Sequence, residues 1–521
     1  MIETNNTQYI SMKKFPFILA AVLSVAAVLP AQAQSLNSLK NKVAGSVRNE
    51  VNKGVQKAKE TAKEDAKEKA LEAKYASSAN AGKTYYVSAS TGSARADGLS
   101  PQTPMKDLQK AISVAEDNDV ILVAEGNYLG NMDRGYIEVG QFGNGQSDKG
   151  KFLSFYGGYS PDFSERDVIR YVTKFQPKEQ AFIAPLFNIN ARRPYDYRGP
   201  LGNVVVDGFV FDFGENNLYC VADVSDERTG TPNEGVLTGR FIELGASPAV
   251  AKVGFQNGDE YALHLDVEGN VRIANCIFVN CRDYAIAGQM GKGHMEICNN
   301  VFVSNRYAAC QIAGSTNEKE IDQVSLDFHH NTVLFTWTRT KTFEDMGQGF
   351  RFMNGIRTID CHNNIFGCNS NCGVERCRYE NTKALEEAKQ SNLYDNYFFA
   401  NKRDLEIASA GKATISVSAA RIEEAEQIGP KYEGNKELPA GNDAFLNAID
   451  QSYLEGYMTL KIIQSQSYDA NSVANQLNRA FGINQQGSEI VRPSMYFNKY
   501  PWEKAKDLFG KVADYGAQMP E

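Results

Sequence analysis

Two periodicities divide the chain. Between Leu36 and Ala73 the apolar and small residues Leu36, Leu39, Val43, Val47, Val51, Val55, Ala58, Ala62, Ala66, Ala70 and Ala73 recur every three or four positions, and the positions between them are mostly Lys, Glu, Asn and Gln. That stripe predicts a helix over residues 34–75, about 55 Å long across the stripe. The stripe is all Ala after Val55 and buries little, so a solvated spacer is the first reading; a self-associating helix over 36–74, or a stalk touching the cell envelope, is the other. Residues 76–83 read as a linker. From Thr84 the texture changes to short alternating runs: Tyr85-Tyr-Val-Ser predicts a strand, Met105 to Ala115 a short helix, and Val120-Ile-Leu-Val-Ala a second strand.

Further on the alternation becomes a repeat. Val271-Arg-Ile-Ala-Asn-Cys-Ile-Phe, Met295-Glu-Ile-Cys-Asn-Asn-Val-Phe, Leu326-Asp-Phe-His-His-Asn-Thr-Val, Ile359-Asp-Cys-His-Asn-Asn-Ile-Phe and Ser391-Asn-Leu-Tyr-Asp-Asn-Tyr-Phe align without gaps. Asn300, Asn331, Asn364 and Asn396 share one slot at intervals of 31, 33 and 32 residues, with Cys276 in that slot one unit earlier. A second polar column falls at Asn305, Asn369 and Asn401. Self-similarity at this period signals a solenoid whose units bury their apolar faces only against neighbours. Each unit is strand, Asn turn, strand, which reads as a β-solenoid. Ile273, Ile297, Phe328, Cys361 and Leu393 are expected to stack inward, as are Phe278, Phe302, Val333, Phe366 and Phe398. Buried Asn side chains can donate to the carbonyl one unit above, and Asn also tolerates a left-handed turn, so these residues read as structural. Val204-Val-Val-Asp-Gly-Phe-Val-Phe is an earlier copy with Asp207 and Gly208 at the turn.

These segments resemble the right-handed parallel β-helix superfamily of pectate-lyase-like proteins. Tyr85-Tyr-Val-Ser, Asp97-Gly-Leu-Ser-Pro-Gln-Thr-Pro and Asn118-Asp-Val-Ile-Leu-Val-Ala-Glu-Gly-Asn-Tyr look like the N-terminal cap and first coil of exported bacterial members. Phe155-Tyr-Gly-Gly-Tyr-Ser-Pro-Asp-Phe-Ser-Glu-Arg-Asp is similar to another recurring segment. The resemblance covers residues 84–401 and implies an all-β, right-handed parallel β-helix, with an N-terminal helical stalk and a partly helical C-terminal cap over 402–521. It does not imply one activity, because a fold hosts many. The helical patterns Val417 to Ile428, Ala444 to Leu454, Asn471 to Phe481 and Trp502 to Tyr515 are expected to close the solenoid's open end and lie along its flank.

Composition narrows the setting. With 55 Lys+Arg against 63 Asp+Glu the net charge is −8, which offers no basic footprint for nucleic acid. Lys13 and Lys14 precede an apolar run from Phe17 to Leu29 and then Ala31-Gln32-Ala33, the order of a secretory signal peptide over residues 1–33. The run is too short to span a bilayer and no later one reaches the required length. Export to the periplasm, cell surface or medium follows. The 9 Cys leave at least one thiol unpaired in an exported chain; buried thiols or a disulfide or two fit better than a metal at Cys368, Cys372 and Cys377, whose spacing lacks a C-x-x-C pair.

In relatives of this fold a sugar lies in a groove on one sheet. The resemblance therefore directs attention to the strands after the second polar column, where Ile286, Cys310, Phe350 and Val374 are expected inward and Ala287, Gln311, Arg351 and Glu375 outward. Arg351 beside Glu375 suits proton abstraction next to a uronate, and both are the candidate catalytic residues; a cross-rung ion pair is the plainer reading. Gln311, Arg306, His329 and His362 are the candidate substrate contacts. His329 and His362 share an outward column with Ala274, Cys298 and Tyr394, so stacked imidazoles compete with a metal or substrate site there. Asp259, Glu260 and Asp266, in the acid-rich stretch from Asp212 to Asn270, make Ca2+ the one cofactor candidate. No Gly-Glu-x-Glu run and no closely spaced Asp pair of the family's lyases or hydrolases is present. The expected partner is a polysaccharide, bound and in one reading cleaved, with a non-catalytic envelope rod as the alternative.

Overall fold

The computed structural model describes residues 53, 56, 59, 63, 82–129, 137–140, 150–176, 186–193, 197, 199–213, 224–226, 231–232, 263–281, 284–306, 308–315, 323–336, 347–353, 355–376, 391–407, 415–418, 432–438, 442–458, 476 and 499–520. The chain forms two compact units, Met1–Ser77 and Ser78–Glu521. In the first, the described residues Lys53, Gln56, Lys59 and Lys63 are helical and exposed. The signal peptide, the rest of the helix and most of the linker lie outside the described residues.

The second unit is a parallel β-helix, and its units are rungs with a strand on each of three faces. In one rung the strands are Val324–His329, Thr332–Leu334 and Gln348–Phe352; in the next they are Thr358–His362, Ile365–Gly367 and Cys372–Arg376, each paired in parallel with its predecessor. Inward residues are those expected: Ile273, Ile297, Phe328, Cys361 and Leu393 are all buried, as are Phe278, Phe302, Val333, Phe366 and Phe398. Phe211, Phe278 and Phe302 stack nearly parallel, with centroids 4.8 and 4.9 Å apart. Alternating apolar residues make strands here because a repeat one rung away supplies both the hydrogen-bonding edge and the covering side chain.

Two corners are tight. Between the third and first faces, the strands Leu263–Ala274 and Ile286–Cys298 run unbroken through the bend at Gly269 and Gly293, whose φ values are +85° and +117°. A Cβ on Gly293 would sit 2.1 Å from the Gly269 carbonyl oxygen, so only glycine fits. Between the first and second faces, the left-handed residue is Asn275, Asn299, His330, Asn363 or Asp395, one position before each ladder residue. The ladder Asn residues themselves are not left-handed: their side chains must point inward, and the preceding residue takes the turn.

The ladder is continuous. Asn331 Nδ2 donates to Asn364 Oδ1 at 3.1 Å and to the Ile297 carbonyl at 2.9 Å, while its backbone N–H donates to the same Asn364 Oδ1 at 2.9 Å. The pattern passes through Asn396 to Asn435. In the second ladder Thr336 fills the slot between Asn305 and Asn369, its N–H donating to Asn369 Oδ1 at 3.2 Å. Asn435 belongs to a further rung, Tyr432–Glu433 and Lys436–Glu437, beyond the expected end at residue 401.

The described C-terminal residues lie along the flank. Phe445, Tyr453, Leu454, Tyr500, Leu508, Phe509 and Ala517 cover the apolar outer side of the second face, where Val279, Val303, Leu334 and Ile365 are buried beneath them. Helices span Asp443–Ala448, Gln451–Met458 and Trp502–Ala505, the last passing into a 3-10 turn at Lys506–Leu508. Val417, the first residue of one expected helical pattern, ends a strand, Ile415–Val417, paired antiparallel with Leu405–Ile407, and the pattern beyond residue 418 lies outside the described residues.

Candidate functional site

Register on the third face places Ala287, Gln311, Arg351, Glu375 and Glu406 in one outward column, because each parallel strand repeats the alternation of the one before. Ile286, Cys310, Phe350 and Val374 point inward and are buried. Arg351 Nε lies 2.9 Å from Glu375 Oε2, and Arg351 Nη1 donates to Gln311 Oε1 at 3.0 Å. The side chains of Arg351 and Glu375 are 18% and 9% exposed. The guanidinium is thus held between a carboxylate and an amide, one rung to either side. Arg306 does not join this row: its side chain is 0% exposed, at the turn following the second ladder, so it does not face a groove.

The first face carries the other candidates. Ala274, Cys298, His329, His362, Tyr394 and Glu433 form one outward column. His329 and His362 stack 5.0 Å apart at 4°, and His362 stacks on Tyr394 at 4.8 Å. Beside them run Arg272, Glu296, Asp327, Asp360 and Asn392. His329 Nε2 meets Glu296 Oε1 at 3.1 Å and His329 Nδ1 meets His330 Nδ1 at 2.9 Å. Arg272 links the rungs to either side of its own, donating from Nε to Glu296 Oε2 at 2.9 Å and from Nη1 to Asp207 Oδ2 at 2.6 Å. His294 contributes Nδ1 to Ser325 Oγ at 2.9 Å and lies 3.6 Å from Asp327 through Nε2.

Electrostatics on this face follow from partial burial and like neighbours. Burial lowers the His329 pKa, with the Glu296 hydrogen bond acting against it. Burial, helped by the imidazoles of His329 and His362, pushes His330 down to about 4. Burial and the neighbouring Asp360 raise the Asp327 carboxyl, against His294. The Cys298 thiol is pushed up to about 12 by burial, although Arg272 opposes this. At neutral pH the imidazoles of His329 and His330 are therefore uncharged bases.

Other candidates resolve separately. Asp266 is not in a loop: it lies on the strand Leu263–Ala274 and is paired with Arg192. Asp259 and Glu260, like Cys220 and Cys377, lie outside the described residues. The seven described cysteines are free thiols and buried, Cys368 and Cys372 among them. Glu296, Cys298 and His329 bring one donor atom each to within 4.8 Å of one another. The sequence placed Cys298 in the histidine column; it gave no cue that Glu296 would lean across from the next column, or that His330 would turn back onto His329.

Residues 210–436, somewhat under half of the chain, match the family described as "Periplasmic copper-binding protein (NosD)". No curated protein sequence matches. Among solved structures, the chain aligns with pectate lyase Pel9A at 11% identity over 79% of this chain and 89% of that one, with a TM-score of 0.28. XylC in complex with xylose aligns at 14% identity over 63% and 64%, TM-score 0.29. A rhamnogalacturonan lyase aligns at 13% over 75% and 94%, TM-score 0.24. Scores this low carry no argument, and the fold stands on the rung pairing itself. Among the described residues no helix is long and apolar enough to cross a membrane.

Proposed function

We propose that this chain, whose described residues form a parallel β-helix, is an exported glycan-binding protein of the pectate-lyase-like kind that holds an acidic or neutral polysaccharide along the third face of the solenoid. The observation that carries this reading is the register-locked outward row Gln311, Arg351, Glu375 and Glu406. A polymer laid along the solenoid axis meets a hydrogen-bonding or charged group at each rung, about 4.8 Å apart. Arg351 supplies the cation for a sugar carboxylate, Gln311 accepts from or donates to hydroxyls, and Glu375 accepts from them.

Cleavage is the stronger form of the same proposal. In it Arg351 neutralises a uronate and Glu375 takes or delivers the proton, which requires the substrate to displace the Arg351–Glu375 contact. The test uses the mature chain from Gln34 with a polysaccharide panel, read both as retention in affinity electrophoresis and as release of new reducing ends. Retention that weakens at least about tenfold in Arg351→Lys supports the site, since a point charge replaces a planar fork. Reducing ends lost in Glu375→Gln establish catalysis. No retention on any glycan overturns the reading.

A further inference from the structure

We propose that Glu296, Cys298 and His329 form a binding site for a single borderline d-block cation of the Zn2+ type, with His330 as a positioning residue and Arg272 as the group that occupies the site when the cation is absent. This is independent of the glycan reading, being on another face.

Three observations converge. Of the described cysteines that lie in strands, Cys310, Cys361 and Cys372 fill inward slots with the apolar residues, whereas Cys298 alone occupies an outward slot, paired in register with Ala274 and His329. Its sulfur has an imidazole nitrogen and a carboxylate oxygen within 4.8 Å. One thiolate, one imidazole and one carboxylate, leaving a fourth position open, is a donor set for tetrahedral Zn2+. It is the wrong set for Ca2+, which takes six or more oxygens. The three donor atoms lie within 4.8 Å of one another, His329 Nε2 and Glu296 Oε1 at 3.1 Å, and the Glu296 side chain, 31% exposed, has the freedom to adjust.

The second observation is behind the histidine. A ligating imidazole keeps its geometry when its other nitrogen donates to a fixed acceptor. His329 presents Nε2 to Glu296 and Nδ1 to His330 Nδ1 at 2.9 Å. With a cation on Nε2, the ring proton sits on Nδ1 and is donated to His330. His330 is in place because it occupies the left-handed turn slot, φ 52°, that Asn275, Asn299, Asn363 and Asp395 fill on other rungs. A bulkier residue than Asn at such a slot, aimed at the column beside it, is a departure from the repeat that the ladder does not require.

The third is Arg272. Its guanidinium sits 2.9 Å from Glu296 Oε2 and shares itself with Asp207 at 2.6 Å. A cation arriving at Glu296 leaves Arg272 with Asp207, a buried carboxylate that it shares with Arg166. Binding displaces the Cys298 thiol proton to solvent and exchanges one cation for another at Glu296.

The experiment titrates the full chain with Zn2+ by equilibrium dialysis and with Co2+ by absorption. The expected result is one ion per chain and a thiolate-to-cobalt charge-transfer band. Cys298→Ala, a residue the same column already accepts at Ala274, should remove the band and lower Zn2+ affinity at least tenfold while the melting temperature holds. His329→Gln should lower affinity similarly. His330→Gly, compatible with the left-handed slot, should keep the band and weaken binding about 10- to 100-fold. Arg272→Gln should tighten binding, because a competing positive charge is gone; a purely structural cluster would be loosened instead. Absence of stoichiometric binding, a band that survives in Cys298→Ala, or weaker binding in Arg272→Gln would each overturn the proposal.

Discussion

The first and third faces of the solenoid are built on the same strand spacing, yet they distribute charge in opposite ways. On the third face Gln311, Arg351 and Glu375 differ from rung to rung, amide, guanidinium and carboxylate, before Glu406 repeats the carboxylate. Arg351 is ion-paired with Glu375 on one side and donates a hydrogen bond to Gln311 on the other. On the first face like sits on like, imidazole over imidazole at His329 and His362 and carboxylate beside carboxylate at Asp327 and Asp360. A parallel in-register stack forces this choice on each column, because a residue's nearest neighbours are the same slot one rung away. A complementary column satisfies itself; a repetitive one is left with unmet demand, which here surfaces as depressed imidazoles, a raised carboxyl and an arginine shared between carboxylates on two rungs.

The largest test of that contrast is Arg351→Met. It strands Glu375, 7% exposed, without its cation and should lower unfolding free energy by about 3 kcal/mol. The double variant Arg351→Met with Glu375→Leu should recover most of the loss in chemical denaturation, since both partners go together; no recovery would mean that the column is not self-neutralising.

Next in size is the acid response of the first face. The folded-state pKa of His330, about 4, lies below the unfolded value of about 6.5, so protonation favours unfolding. Its contribution is intact above about pH 6.5 and is lost as pH falls through about 4, and His329 acts in the same direction. Asp327, raised, acts oppositely and partly offsets them. Melting curves from pH 7 to 4.5 should therefore show a decline that His330→Asn flattens, whereas Arg351→Lys leaves its shape unchanged. The smallest effect expected is from Asp327→Asn, a gain of about 0.5 kcal/mol at neutral pH from removing a like-charge rung pair, discounted for partial exposure; a loss would show that His294, at 3.6 Å, matters more than Asp360.

What the sequence made legible was what the repeat constrains. Inward slots accept only apolar residues or the hydrogen-bonded Asn, so Phe302, Phe366, Asn331 and Asn364 could be placed by alignment alone. Outward columns were legible as well, because register follows from the same alignment. Interactions between columns were not: Glu296 reaches His329 and Arg272 reaches Asp207 through side-chain conformations that no periodicity encodes. Arg306 misled because a charged residue after a turn is ordinarily exposed, and here the turn itself is buried. Asn435 was hidden by the brevity of its strands, whereas the C-terminal segment was expected along the flank and only its individual contacts were not legible.

That last segment alters how the solenoid holds together. Gln518 N–H donates to Asn299 Oδ1 at 2.6 Å, Ala517 N–H to Thr332 Oγ1 at 2.9 Å, and Gly516 N–H to the Asn363 carbonyl at 2.8 Å, so three consecutive residues are fastened to three consecutive rungs. Tyr500 is tied to Asn280 in the same way, donating its N–H to Asn280 Oδ1 at 2.8 Å. A stack whose members touch only adjacent members can fray one at a time from an end. A lashing across its middle makes the fraying of one rung a disturbance to several. These ties thereby convert a pile of weakly linked layers into an all-or-none assembly.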